Sequence, residues 1–106
     1  MIKEITVHEL NQLITQKASF QLIDVREPHE IEIATIGGLN IPLGSVPDNL
    51  DKVDTDKQVI IYCRSGKRSG NAVNYIQSNT AIEEIYNLKG GILEWADEID
   101  DSLTKY

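Results

Sequence analysis

The chain of 106 residues has one cysteine, Cys63, which rules out an internal disulfide and any all-thiolate metal site. Its two histidines, His8 and His29, stand far apart, and neither belongs to a ligand-spaced pair, so a zinc or iron centre is not expected. No apolar run approaches the roughly 20 residues that span a bilayer. The N-terminal Met1-Ile2-Lys3-Glu4-Ile5 has no signal-peptide stretch. Internal repeats, low-complexity tracts and Pro/Gly/Ser-rich linkers are also missing, and the length suits one hydrophobic core rather than two. The expectation is a single domain over residues 1–106, cytoplasmic, with a reduced thiol, no metal and no cofactor. Monomer is the default state.

Positive charge is scarce overall and acidic charge is scarce in one place. A net charge of −7 excludes a general nucleic-acid binder, which needs a basic face for phosphates, and nothing calls for a membrane partner. Yet no acid occurs between Asp56 and Glu83, where Lys57, Arg64, Lys67 and Arg68 fall. A charge run is ordinarily a solvated helix face. Here the acids are excluded around the one thiol, which favours a local anion site.

Hydrophobic content of 41% and charged content of 25% are ordinary for a globular domain. Thr6-Val7-His8-Glu9 reads as a capping box opening a helix that carries Leu10, Leu13 and Ile14. Phe20 to Val25 suits a buried strand, and Glu27-Pro28-His29-Glu30 starts a second helix with proline in its first turn. Gly37 to Pro42 is a turn into a very short strand, and Pro47 to Leu50 a short helical turn. The clearest strand is Gln58-Val59-Ile60-Ile61-Tyr62, β-branched and uninterrupted. Ala72, Val73 and Ile76 mark one face of the next helix. Ile85 to Leu88 reads as a strand, and Gly90-Gly91 turns the chain into a last helix with Trp95 and Ile99. Strands alternating with helices predict an α/β fold, a mainly parallel central sheet of about five strands with helices on both faces.

The chemistry is expected in Cys63-Arg64-Ser65-Gly66-Lys67-Arg68-Ser69-Gly70, between the best strand and a helix. Open parallel sheets place ligands at that carboxyl edge. A compact loop entering a helix N-terminus aims backbone N–H groups inward as an anion nest, and Gly66 permits positive φ there. Such a terminus, with cations beside it, favours the thiolate, which is both nucleophile and leaving group in sulfur exchange. Arg64, Lys67 and Arg68 would recruit an anionic donor such as thiosulfate. A lone cysteine is most often a small buried hydrophobe. A packing role, however, gives no reason for these cations or for a loop shaped by glycine and serine.

These residues carry a resemblance to the single-domain rhodanese (thiosulfate sulfurtransferase-like) family. Leu22-Ile23-Asp24-Val25-Arg26-Glu27-Pro28-His29-Glu30 resembles its first block, Cys63 to Ser69 its active-site loop, and Leu88-Lys89-Gly90-Gly91-Ile92-Leu93-Glu94-Trp95 its closing block. The resemblance runs from about Ile5 to Trp95. It implies that Cys63 is the persulfide-forming nucleophile, and that Arg64, Ser65, Gly66, Lys67 and Arg68 cradle the sulfur and shape donor choice. Ser69 then closes the loop, with its hydroxyl near the sulfur. Asp24 and Arg26 support the site, although Asp24 equally suits a structural role, bonding backbone at a strand end. One departure stands out. The family's usual His-Ile-Pro-Gly-Ala run is here Thr35-Ile36-Gly37-Gly38-Leu39, which predicts a looser turn. His29 does not replace that histidine and reads as an exposed first-turn residue, while Trp95 and Tyr62 read as core packing.

The implied partners are a small anionic sulfur donor and a thiophilic acceptor. One alternative is a persulfide relay fed by a sulfur-relay protein such as a cysteine desulfurase. Another is a non-catalytic rhodanese-like binding module, although such modules typically lack the cysteine. Cysteine phosphatases and arsenate reductases place their loop arginine one residue later than Arg68, where this chain has Ser69. The shorter loop suits a single sulfur better than a tetrahedral oxyanion.

Overall fold

A computed structural model describes residues 2–106. Its centre is a five-stranded sheet, every pairing parallel, in the order β1-β5-β4-β2-β3. The strands are β1 (Lys3–Ile5), β2 (Phe20–Asp24), β3 (Leu39–Asn40), β4 (Gln58–Tyr62) and β5 (Ile85–Leu88), and the helices are α1 (Val7–Thr15), α2 (Pro28–Ile33), α3 (Lys67–Asn79) and α4 (Gly91–Glu98). A kinked 3-10 segment, Leu43–Lys52, replaces the shorter turn expected around Pro47.

Strand β4 lies in the middle, and its alternation divides the core. Val59, Ile61 and Cys63 join Ala72, Val73 and Ile76 of α3 and Val46 of the 3-10 segment in one cluster. Ile60 and Tyr62 face the other way, toward Val7, Leu10, Leu88, Ile92 and Trp95. Side chains of a strand alternate between faces, so an unbroken apolar run is the mark of a strand covered on both sides. Helices do lie on both faces. Tyr62 is fully buried and Trp95 is nearly so, both packed as the sequence suggests.

The capping box at α1 forms in full. Glu9 N–H donates to Thr6 Oγ1 at 3.1 Å, and Thr6 N–H to Glu9 Oε1 at 3.0 Å. The sequence reading missed β1, whose three residues add an edge beside β5 with Ile5 opposite Leu88. Lys3 and Glu4 are exposed, so β1 has little apolar pattern of its own and exists because β5 offers it a partner. The turn at 35–38 carries ties of its own in place of the family's histidine and proline. Tyr62 Oη–H donates to the Gly37 carbonyl at 2.7 Å, and Gly37 N–H to Thr35 Oγ1 at 2.9 Å. Gly38, at φ +97°, passes so close to Leu22 that a Cβ would stand 2.7 Å from its carbonyl oxygen. Among the described residues, no helix is long and apolar enough to cross a membrane.

Candidate active site

The end of β4 delivers Cys63 to the carboxyl edge of the sheet, and α3 begins at Lys67. Gly66 takes φ +101° as the N-cap of α3, closing the loop within four residues. Gly66 N–H donates to Cys63 Sγ at 3.1 Å and Ser69 N–H at 3.4 Å, with Ser69 Oγ 3.3 Å away. These are orphan N–H groups of a helix start, aimed at a sulfur. The thiol itself is buried, with 1% of its residue surface exposed.

A second helix start holds the loop from behind. Ile92 N–H donates to the Cys63 carbonyl at 2.9 Å and Leu93 N–H to that of Arg64 at 3.1 Å. With its carbonyls turned toward α4, the loop is left with its amides facing the sulfur. Gly91 makes this approach possible. It has φ +62°, and a Cβ there would lie 2.4 Å from the Arg64 carbonyl oxygen and 2.6 Å from that of Cys63. Gly91→Ala is therefore expected to lower stability by about 2–4 kcal/mol, the sum of backbone strain and overpacking. The check is the urea unfolding midpoint, together with slower sulfur chemistry in the folded protein.

The predicted loop residues separate into two groups. Arg64, Ser65 and Lys67 are exposed at the rim, and neither cation has a salt bridge among the described residues. Arg68 is different. Its Nη1 and Nη2 each lie 2.8 Å from an oxygen of Glu30, a bidentate pair whose carboxylate is buried. The expected charge of Arg68 is thus spent on α2, where it pins the loop while its side chain stays half-buried. Arg68, backed by the Glu27 N–H and the Tyr106 hydroxyl, holds the Glu30 carboxyl down at about 2 against the opposing effect of burial. A lowered folded pKa contributes stability that is present above the ordinary value near 4.5 and is lost as pH falls toward about 2. Glu30→Gln is expected to be less stable than the parent at pH 7. The two proteins should converge in urea midpoint as pH drops through that window.

Asp24 and Arg26 lie beneath this pair, both fully buried. Arg26 Nε donates to Asp24 Oδ1 at 3.0 Å and Nη2 to Oδ2 at 2.8 Å, while Arg26 N–H donates to Oδ1 at 2.9 Å. The last bond is the strand-end backbone contact expected of Asp24. Arg26 also reaches the carbonyls of Glu30 and Ala34 and the Tyr106 hydroxyl. His29 is exposed on α2, away from these contacts.

Three further participants escaped the sequence reading. In the sequence Glu30 reads only as a helix-start acid, although an acid one turn into a helix is a fit partner for a basic loop. Asn87 is a buried polar residue inside the apolar β5 run, and that interruption was its signal. It touches Ser69, Gly66 and Glu4. Tyr106 had no local signal. It crosses from beyond α4 to bridge Arg26 and Glu30 through its hydroxyl, with the Arg64 guanidinium 5.1 Å from its ring centroid.

A parallel sheet with a cysteine at its carboxyl edge, its sulfur facing backbone amides and its loop gripped by two helix starts, defines an α/β domain of the doubly covered kind. Residues 6–98 match the rhodanese-like domain family, and the chain belongs to that family. It is similar to "Uncharacterized protein YqhL" of Bacillus subtilis, 46% identical over 80 residues, which cover 74% of this chain and 63% of that one. It thus spans slightly under two thirds of that relative. A protein named "Sulfurtransferase" from Allochromatium vinosum is 35% identical over 97 residues, covering 91% of this chain and 90% of its own. Among solved structures, a rhodanese-like domain protein from Staphylococcus aureus superposes with a TM-score of 0.81 at 31% identity, covering 92% of this chain and 95% of that one.

Proposed function

We propose that the domain is a sulfurtransferase that carries sulfane sulfur as a persulfide on Cys63. The sulfur comes from a small anionic donor such as thiosulfate and passes to a thiophilic acceptor. One observation carries this reading: Cys63 Sγ sits in a nest of Gly66 and Ser69 N–H groups below a rim where Arg64 and Lys67 are exposed. The Cys63 thiolate attacks the outer, sulfane sulfur of thiosulfate. That sulfur's bond to the sulfonate breaks, sulfite leaves with the bonding pair, and Cys63 holds a persulfide anion. An acceptor such as cyanide then attacks the outer sulfur and leaves as thiocyanate, returning the thiolate.

Each part of the loop has a task in this scheme. Arg64 and Lys67 draw the dianionic donor to an otherwise acidic protein. The nest amides face the sulfur through every change of its charge. Arg68, tied to Glu30, keeps the loop in shape. No metal or organic cofactor is required, because the bonds exchanged are all to sulfur.

The test is to incubate the reduced protein with thiosulfate and take an intact mass. A gain of one sulfur atom, removed by cyanide as thiocyanate, is the expected result. No gain from thiosulfate, with loading from a cysteine desulfurase, would make the domain a protein-fed relay instead. Loading from neither would leave a binding module and overturn the proposal.

A further inference from the structure

Ser69 has one hydroxyl proton and two acceptors within reach, Cys63 Sγ at 3.3 Å and Asn87 Oδ1 at 2.5 Å. It can serve only one of them at a time. The orientation of the Asn87 amide decides which. Asn87 Nδ2 lies 3.1 Å from the Gly66 carbonyl oxygen and 3.0 Å from Glu4 Oε2. Both of those partners accept and neither donates, so the amide nitrogen must face them. Oδ1 is thereby turned toward Ser69. Two oxygens 2.5 Å apart with no proton between them would set lone pair against lone pair. The Ser69 proton therefore lies on the Asn87 side, and Ser69 Oγ turns a lone pair to the sulfur.

We propose that Asn87 is a positioning residue that keeps the Ser69 proton away from Cys63. In the thiol form S–H donates to Ser69 Oγ, and Ser69 O–H donates to Asn87 Oδ1. When the thiol gives up its proton, the sulfur anion keeps the Gly66 and Ser69 N–H donors and receives nothing from the hydroxyl. The nest thus holds the anion with fewer donors than its geometry offers. Binding an intermediate more tightly than its transition state slows the next step. Withholding the third donor leaves the Cys63 anion less stabilised and so more nucleophilic toward a donor's sulfane sulfur. Asn87, Gly66 and Glu4 come from β5, the loop and β1, so the sheet edge itself fixes where one proton sits.

This inference deepens the sulfurtransferase reading, but its test needs no sulfur donor. Reduced wild-type protein, Ser69→Ala, Asn87→Leu and the double variant are compared at neutral pH. The readouts are the ultraviolet absorbance of the thiolate and the alkylation rate by iodoacetamide. Freeing the hydroxyl to donate adds a hydrogen bond to a charged group, so Asn87→Leu should raise the thiolate absorbance and, because a stabilised thiolate is the weaker nucleophile, speed alkylation by only about threefold. Ser69→Ala should leave both at or above the wild-type level, and the double variant should fall back to the Ser69→Ala level. A drop in thiolate absorbance in Ser69→Ala would overturn the proposal. So would an equal rise from Asn87→Leu with and without Ser69. If Asn87→Leu does not fold, Ser69→Ala alone decides, since a hydroxyl that donates to sulfur must be missed when it is removed.

Discussion

Cys63→Ser is expected to take up no sulfur from thiosulfate and to release no thiocyanate on adding cyanide, while still folding. The chain has no other cysteine, so no second thiol can form a persulfide in its place. A serine hydroxyl at neutral pH is not the ready nucleophile that a thiolate is, and the nest supplies donors but no general base to activate it. Sγ accepts from Gly66 N–H and Ser69 N–H and sits in the apolar cluster with Val59, Ile61, Ala72 and Val73. A hydroxyl oxygen can accept the same bonds from a slightly shorter side chain, so the substitution costs about 1 kcal/mol of stability. Intact mass after thiosulfate, read beside a urea melt, separates loss of chemistry from loss of fold. Sulfur retained by folded Cys63→Ser would place the chemistry elsewhere and end the persulfide assignment.

The central sheet is legible because β4 and β5 are buried on both faces, and β2 is buried at its carboxyl end, so they read as largely apolar runs between turn residues. The cysteine loop was legible for a different reason: it concentrates positive charge in a chain that is otherwise acidic. Elements that depend on a neighbour were not. β1 has three residues and borrows its existence from β5, and the 3-10 segment runs well beyond the Pro47–Leu50 turn that the sequence suggests, with Pro47 inside it and a kink at Asn49. In the site, the sequence placed Arg68 at the loop but could not tell a free cation from a paired one. That distinction depends on Glu30, which lies 38 positions away. Tyr106 is further still, 80 positions from the Arg26 that it meets. Contacts of that kind are set by how strands and helices stack, and no local pattern records them.

The same stacking makes the loop rigid where it must be. Its carbonyls are taken by Ile92 and Leu93, Arg68 is anchored on Glu30, and Asn87 fixes the Gly66 carbonyl. A nest of amides is useful only if it does not relax around each new charge, since preorganised dipoles need no reorganisation during reaction. Among the described residues Arg64 and Lys67 make no ion pair and remain exposed, so in the proposed reaction they can meet a donor without first breaking an internal bridge.

Arg26→Leu is expected to be the most destabilising single change in the domain, at about 3–5 kcal/mol. The guanidinium is fully buried and Asp24 nearly so, and removing the cation leaves a carboxylate without its partner where water cannot replace it. It also strips donors from the carbonyls of Glu30 and Ala34 and from the Tyr106 hydroxyl, each an additional desolvation cost. The decisive comparison is with the double variant Asp24→Leu/Arg26→Leu. If the cost comes from an uncompensated charge, removing the second charge should restore part of the stability, because apolar replacement of a whole buried pair is often close to neutral. Urea unfolding of the parent, Arg26→Leu, Asp24→Leu and the double variant closes the cycle. A double variant no more stable than Arg26→Leu would mean that the carbonyl and Tyr106 contacts, not the ion pair, are what Arg26 contributes. Because Glu30 anchors Arg68 and leans on Arg26 through its carbonyl and Tyr106, Arg26→Leu should also load sulfur more slowly when folded. The effect on chemistry would then travel through the position of the loop, since Arg26 makes no contact with Cys63 Sγ.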